Sequence, residues 1–405
     1  MRGVYVLLLI SLLGYTGRVS GQESVTITQC YEWARANYPQ IHQMGLIDQT
    51  ERYSLSNVGK AWLPQLSVSG KASYQSDVTK LPLDGDKISS LLPGFEIPSL
   101  SKDQYQVVAQ VDQTIWDGGS TRSARALTRA EAIANREQLE SELYALNDRV
   151  NQIYFGCLLQ DELIRQNALL QKELQVNIER IEAMMENGVA NQSDLESMEV
   201  ELLNARQNEI ELKASRTVYR QMLATFINKP LTDQVVLKTP ESPERSLSTQ
   251  INRPELRALD AKSEWIETQN KQVTAGLMPR IGAFVQGGYG RPGLNMLEDS
   301  FEPYYVAGVR LSWNLGKLYT LKNDRRKIEV SRRQIDVQRE TFLFNTRLQL
   351  LQQNTEIKKM TDLMRADDDI IRLRTSIKQA AEVKLENGVI SVTDLIRDCL
   401  LYTSP

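Results

Sequence analysis

The chain has 405 residues, 41% of them hydrophobic and 24% charged, with a formal net charge of -3 and a mean hydropathy of -0.37; this balance fits a folded chain and excludes gross disorder. A pI of about 5.6 offers no electrostatic basis for a nucleic-acid partner. One histidine, His42, and three cysteines, Cys30, Cys157 and Cys399, leave too few groups for a Ser/His/Asp triad, a Cys/His dyad or a zinc site, so no enzyme, cofactor or metal is expected.

In chain order, Met1 and Arg2 open a positive n-region, 4–13 is an apolar run, and Val19-Ser20-Gly21 supplies small residues before a cut at Gln22, so 1–21 reads as a secretory signal peptide. The run is too short for a stop-transfer helix, and no later segment reaches the roughly 18 apolar residues of a transmembrane helix. Gln22 is not a cysteine that could carry a lipid anchor, and Cys30 and Cys157 are expected to be buried core thiols. Residues 27–61 predict a helix. From 63 the period becomes two: Leu66, Val68, Ala72 and Tyr74 alternate with Gln65, Ser67, Ser69, Lys71 and Ser73, a strand apolar on one face and polar on the other. After a loop at 77–104 rich in Pro, Gly, Ser and Asp, a second strand is expected over 105–116. Leu139, Leu143, Leu146, Val150, Ile153 and Cys157 then step alternately by four and three, which predicts one helix over 120–186, roughly 100 Å long. Asn187-Gly188 ends it, Gly being the favoured C-cap residue. Ser193 with Glu196 reads as a capping box for a helix over 191–228. Pro230, Pro240 and Pro243 mark 229–251 as a linker or belt.

The second half repeats the first. Glu186-Asn187-Gly188-Val189 and Ser193-Asp194-Leu195 return 200 residues later as Glu386-Asn387-Gly388-Val389 and Thr393-Asp394-Leu395. Pro39, Pro64 and Tyr74 return as Pro254, Pro279 and Tyr289, and Trp116 as Trp313. Strands are expected near 281–289 and 304–313, and a long helix over 318–386. The expected organisation is a signal peptide at 1–21, a first repeat at 22–228, an equatorial linker at 229–251 and a second repeat at 252–405. Used as a ruler, the repeat makes the second copy C-terminally truncated, and 399–405 is expected to be a non-native tail.

A sheet with one apolar face normally covers it with a helix. If lipid covers it instead, every backbone group must be paired, so the strands must close into a barrel. Four strands cannot close around a pore; two chains would give eight and a filled barrel, whereas three would give twelve and an aqueous lumen.

Taken together, these residues resemble the TolC-type outer-membrane efflux protein family. The resemblance rests on the opening helix Cys30-Tyr31-Glu32-Trp33-Ala34-Arg35-Ala36-Asn37-Tyr38-Pro39, on Leu63-Pro64-Gln65-Leu66, on Trp116-Asp117-Gly118-Gly119 and on the duplicated Asn-Gly-Val…Asp-Leu turns. It implies a mainly α fold with β, in which a long antiparallel α-helical barrel adjoins four strands per chain of a trimeric twelve-stranded transmembrane β-barrel. The implied protein is a homotrimer in the bacterial outer membrane, extending into the periplasm. It would be a passive exit duct of a tripartite efflux or type I secretion system. Its partners would be outer-membrane lipid, a periplasmic adaptor (membrane fusion protein) and an inner-membrane pump such as an RND or ABC transporter, with no cofactor.

By the same resemblance Asp194 and Asp394 would form a periplasmic gate; the alternative is a first-turn carboxylate stabilised by the helix dipole. Asn187, Gly188, Val189, Asn387, Gly388 and Val389 would contact the adaptor while reversing the helices. Leu385 and Ile390 stand where other members carry a tyrosine and an arginine that latch the tip. Tyr74, Tyr105, Trp116, Tyr289, Tyr304, Tyr305 and Trp313 lie toward strand ends, where a membrane aromatic girdle would sit, with core packing as the alternative. Glu182, Glu186, Glu196, Glu199, Glu382 and Glu386 read as solvated faces or as an acidic docking surface. Asp367-Asp368-Asp369 lacks calcium-loop spacing and reads as a solvated helix face. The competing function is a non-conducting periplasmic coiled-coil adaptor or scaffold, since adaptors also carry long helical hairpins.

Overall fold

The computed structural model describes residues 24–79, 100–188, 190–241, 251–296, 298–390 and 394. The expectations for the signal peptide, for Val189 and for the 399–405 tail lie outside these residues. Strand β1 (Ser24–Val25) leads into α1 (Ile27–Asn37), whose N-terminus Thr26 and Gln29 close with a capping box. The helix expected over 27–61 is broken at Tyr38, which is extended (φ -65°, ψ 127°) because the proline after it disfavours the helical region. A 3-10 turn at Pro39–Ile41 starts α2 (His42–Gly59), and a second turn, Lys60–Trp62, follows it.

Next come β2 (Gln65–Tyr74), β3 (Asp103–Trp116), α3 (Ser120–Tyr144), α4 (Leu146–Glu186), α5 (Gln192–Ile227), β4 (Val236–Leu237), α6 (Pro254–Ala275), β5 (Arg280–Arg291), β6 (Glu302–Ser312) and α7 (Lys317–Glu386). The single helix expected over 120–186 is therefore two. They part at Ala145, where ψ is -17° although its N–H still reaches the Ser141 carbonyl at 3.3 Å. No proline or glycine explains the break, and the counterpart α7 runs 70 residues without one.

The chain forms two compact units, one of Met1–His42, Ser141–Ile251 and Phe342–Pro405, the other of Gln43–Glu140 and Asn252–Thr341. In the first, α1, α4 and α5 enclose Cys30, Ala34, Val150, Ile153, Cys157, Leu223 and Ile227, and Val25, Val235 and Leu237 close the core. β1 pairs in parallel with β4. The buried Tyr154 hydroxyl lies 2.9 Å from the Val25 carbonyl oxygen and 2.7 Å from that of Lys238, tying both strands to α4. Arg220, also buried, donates to the carbonyls of Thr232 (2.8 Å) and Val235 (3.1 Å). The described part of 229–251 is thus packed onto the helices. Cys30 and Cys157 are free and buried, and burial pushes both thiols up to about 11.

In the second unit, four strands form one antiparallel sheet in the order β2-β3-β5-β6. After β3, the Asp117 carboxylate accepts from the N–H groups of Gly119 (2.9 Å) and Thr121 (2.6 Å), while Gly118 and Gly119 take φ of 67° and 85°. After β6, Asn314 performs the same service for the Gly316 N–H at 3.1 Å. These corners convert strand into long helix in both copies of the repeat. Among the described residues, no helix is long and apolar enough to cross a membrane.

Candidate functional site

Strand register decides which side chains share a face. Three rows across the sheet are Leu66–Val111–Val285–Ala307, Val68–Ala109–Gly287–Tyr305 and Gly70–Val107–Tyr289–Pro303. The opposite face carries the rows Gln65–Asp112–Phe284–Gly308, Ser67–Gln110–Gln286–Val306, Ser69–Val108–Gly288–Tyr304 and Lys71–Gln106–Gly290–Glu302. Over these rows one face is apolar and the other mainly polar; toward its two ends the apolar face also carries Arg291, opposite Tyr105, and Gln113, opposite Ala283. The apolar face is bare: Leu66, Val68, Tyr305 and Val309 are each 70% exposed or more. A patch of this extent on a soluble monomer marks a surface meant for another phase or partner. β2 and β6 are the outer strands, run in opposite directions, and have no further strand beside them among the described residues.

The aromatic residues divide between the two ends of the apolar face. Tyr74, Tyr105, Tyr289 and Tyr305 gather toward the loop end, where Phe301 stacks on Tyr289 (centroids 5.7 Å apart) and on Tyr105 (6.4 Å). At the helix end a bulge after Thr114 brings Trp116 opposite Ile281, and the Trp313 indole N–H donates to the Leu277 carbonyl at 2.9 Å. Trp116 lies eleven positions after Tyr105; that is about 36 Å along a strand and about 28 Å at a tilt near 40°, close to the apolar band of a membrane barrel. Tyr304 does not belong with this set. With period two, adjacent Tyr304 and Tyr305 must face opposite sides, and Tyr304 lies on the polar face, where Gln106 hydrogen-bonds its hydroxyl.

Arg310 on the polar face sits over the Phe284 ring (4.8 Å) and reaches to within 3.9 Å of Asp112, which also accepts from Gln110 at 2.7 Å. Strand register places these residues on one face, and cross-strand neighbours bring them into contact. The glycines of β5 let side chains of β6 lie across it, and the sequence does not signal that directly.

At the C-terminal ends of α4 and α7 the two repeat turns have the same geometry. Asn187 and Asn387 each donate a side-chain N–H to the carbonyl four residues back, Ala183 and Val383, at 2.7 Å. Gly188 and Gly388 adopt φ of 70° and 67°, and their N–H groups reach Met185 and Leu385 at 2.9 Å. Val389 adds the longer bond of a Schellman motif, to the Lys384 carbonyl at 2.8 Å. A Cβ at either glycine would meet nothing within 4 Å, so only the positive φ requires glycine there.

The cap of α5 differs from the expectation. Asn191, not Ser193, is the N-cap: its side chain accepts from the Asp194 N–H at 3.0 Å, and the Asp194 carboxylate accepts from the Asn191 N–H at 3.2 Å. Ser193 and Glu196 lie inside the helix, because the chain turns two residues earlier than the Ser-x-x-Glu pattern suggests. Asp194 thus has a helix-capping role, and the half-buried Asp394 also lies in helical backbone. Next to the turns, Leu174, Ile178, Ile181, Met198, Leu202, Ala381 and Leu385 form an apolar cluster against which Ile390 packs. Leu385 and Ile390 are therefore packing residues rather than a polar latch. Glu182, Glu186, Glu196 and Glu199 are exposed, while Glu382 lies 3.6 Å from Arg180. Asp369 pairs with Arg372 on the exposed face of α7, and no group of metal-ligating side chains occurs among the described residues.

Residues 30–229 match a family described as outer membrane efflux protein. No curated protein sequence matches the chain. Its fold is similar to that of CusC, a protein of transmembrane channel formation (TM-score 0.63, 13% identity, covering 93% of this chain and 86% of that one). It is similar also to the outer membrane protein VceC of Vibrio cholerae (0.60, 13%, 93% and 90%) and to the open state of the MtrE outer membrane channel of Neisseria gonorrhoeae (0.60, 15%, 93% and 83%). At these identities the likeness is one of fold.

Proposed function

Because residues 30–229 match the outer membrane efflux protein family, we propose that the chain is the passive, non-enzymatic exit duct of a tripartite efflux or type I secretion system, built from three copies. The outer edge of β6 in one copy would pair with the outer edge of β2 in the next, and the antiparallel direction of the two edges permits that head-to-tail ring to close at twelve strands. Lipid would cover the apolar rows and water would fill the space lined by Gln106, Gln110, Asp112, Gln286 and Arg310. The observation that carries this reading is the segregation of the central rows of the sheet into an apolar and a mainly polar face, with the apolar face uncovered.

The two repeats, 22–228 and 252–405, joined by the belt at 229–251, would supply the helical part in the periplasm. The turns at Asn187–Gly188 and Asn387–Gly388 would meet a periplasmic adaptor, which would hand over solute from an inner-membrane pump. Asp194 and Asp394 would ring the narrow end, Asp194 also serving as a cap. Tyr74, Tyr105, Trp116, Tyr289, Tyr305 and Trp313 would form the girdle. The bare apolar rows count against a soluble adaptor, since apolar surface left in water costs about 25 cal/mol per Å².

Fractionation of cells making the full chain, followed by reconstitution, tests this. Heat-modifiable trimers in the outer-membrane fraction that conduct ions in planar bilayers are expected. A soluble periplasmic monomer would overturn the reading.

A further inference from the structure

Tyr304 is the bulkiest side chain of the polar face, yet it does not stand off the sheet as a strand residue ordinarily does. It is paired directly with Gly288, and its ring lies across that glycine. A Cβ built on Gly288 would sit 2.7 Å from Cε1 of the ring and closer still to Cζ, so the ring occupies the space that any other residue would fill. The hydroxyl crosses the whole of β5 to the side chain of Gln106 on β3, which donates to it. Gly290 continues the bare strip, its Cβ position lying 2.8 Å from the Tyr105 carbonyl oxygen. Two features thus hold the ring flat: an absent side chain beneath it and a hydrogen bond at its far end.

We propose that Gly288, Tyr304 and Gln106 set the calibre of the duct near its loop end, by keeping three phenol rings, one from each copy, against the wall instead of in the lumen. This rests on the reading of the polar face as the lumen of a three-chain barrel. The chemistry favours a large, moderately polar cargo: the flattened rings leave an aqueous bore edged by amide and phenol groups, with apolar ring faces exposed to what passes. A purely structural role for the pair is the known stabilisation of a strand glycine by a cross-strand aromatic residue; it predicts effects on stability but none on bore.

The test uses reconstituted full-length trimers and neutral polyethylene glycols of graded size, added on the loop side so that the periplasmic constriction does not set the result. Wild type, Gly288→Ala, Tyr304→Ala and the double variant are compared for the largest polymer that is admitted. Gly288→Ala is expected to lift the rings and shrink the admitted radius by about 3 Å, roughly the added reach of a ring that stands instead of lying flat. Tyr304→Ala is expected to admit polymers at least as large as wild type does, and the double variant to regain the wild-type limit. If Gly288→Ala does not assemble, Gln106→Leu leaves the glycine in place and frees the hydroxyl, and it too is expected to narrow the bore. An unchanged limit in an assembled Gly288→Ala or Gln106→Leu trimer would overturn the proposal, as would a double variant as narrow as Gly288→Ala alone. If wild-type trimers admit no polymer of any size, the barrel reading itself fails and this proposal with it.

Discussion

Replacing Asp194 and Asp394 by asparagine, and separately by alanine, distinguishes two jobs that one carboxylate can hold. In the capping box the Asp194 carboxylate accepts from the Asn191 N–H at 3.2 Å, while the Asn191 side chain accepts from the Asp194 N–H at 3.0 Å. Asparagine at 194 keeps an acceptor for that N–H and loses only the charge, worth about 0.3–1 kcal/mol at a helix N-terminus. Alanine loses the acceptor as well, at a further cost of about 1 kcal/mol per copy. At about 2.1 cal/mol/K per residue, a chain of 405 residues shifts its Tm by only about 1 °C for each 1 kcal/mol, so the alanine variant is expected to melt about that much lower than the asparagine variant. The gate role makes a different forecast. A trimer would place two carboxylates from each copy at one constriction, and both double variants remove all of them, so both are expected to lose cation preference in planar bilayers to the same degree. Unchanged conductance and ion selectivity in Asp194→Asn/Asp394→Asn would remove these residues from the gate, and equal Tm values for the two variants would refute the capping argument.

Valine at Gly188 and Gly388 is expected to cost about 1–2 kcal/mol per site through the positive φ alone, and to impair efflux more than outer-membrane insertion, whereas asparagine at both is expected to be close to wild type; full efflux by the valine variant with adaptor crosslinking intact would contradict the docking role. Tyr154→Phe removes the hydroxyl from the Lys238 carbonyl, while the Val25 carbonyl keeps the Lys238 N–H at 3.0 Å, and is expected to destabilise the helical unit by about 1–3 kcal/mol, read as faster proteolysis within 229–241. Identical cleavage rates in variant and wild type would count against the belt. The thiols of Cys30 and Cys157 titrate near 11 in the folded chain against an ordinary 9.0, so the folded state favours their protonated form. That stability is fully present below pH 9 and declines as pH rises toward 11. Denaturation midpoints of wild type and Cys30→Ala/Cys157→Ala should therefore converge over that interval, and a constant difference would refute the assignment.

Much of this architecture is legible in the sequence because its signals are periodic. The alternation from Leu66 to Tyr74 and the repeat of Asn-Gly-Val depend only on local geometry, and both strands and turns occur where they predict. What the sequence conceals is non-local or finely balanced. Tyr38 looks helical until the backbone restriction imposed by Pro39 is considered. Asn191 and Ser193 are both good caps, and the length of the turn after Gly188 decides between them. Tyr304 and Tyr305 look interchangeable as interfacial aromatics, yet one position of register sends them to opposite faces. The flat pose of Tyr304 depends on Gly288 in a neighbouring strand and Gln106 in the strand beyond it, a relation that only strand pairing creates. Ala145 interrupts the long helix with no sequence signal at all.

The central claim is that the sheet meets lipid on one side and water on the other. It is tested most directly by a cysteine scan of 305–311 in β6, in a chain whose three own cysteines are replaced by alanine, using a charged, membrane-impermeant maleimide on reconstituted trimers. Strict alternation is predicted, with labelling at 306, 308 and 310 and protection at 305, 307, 309 and 311. Labelling of the odd-numbered positions as readily as the even ones would contradict a lipid-covered face and, with it, the duct.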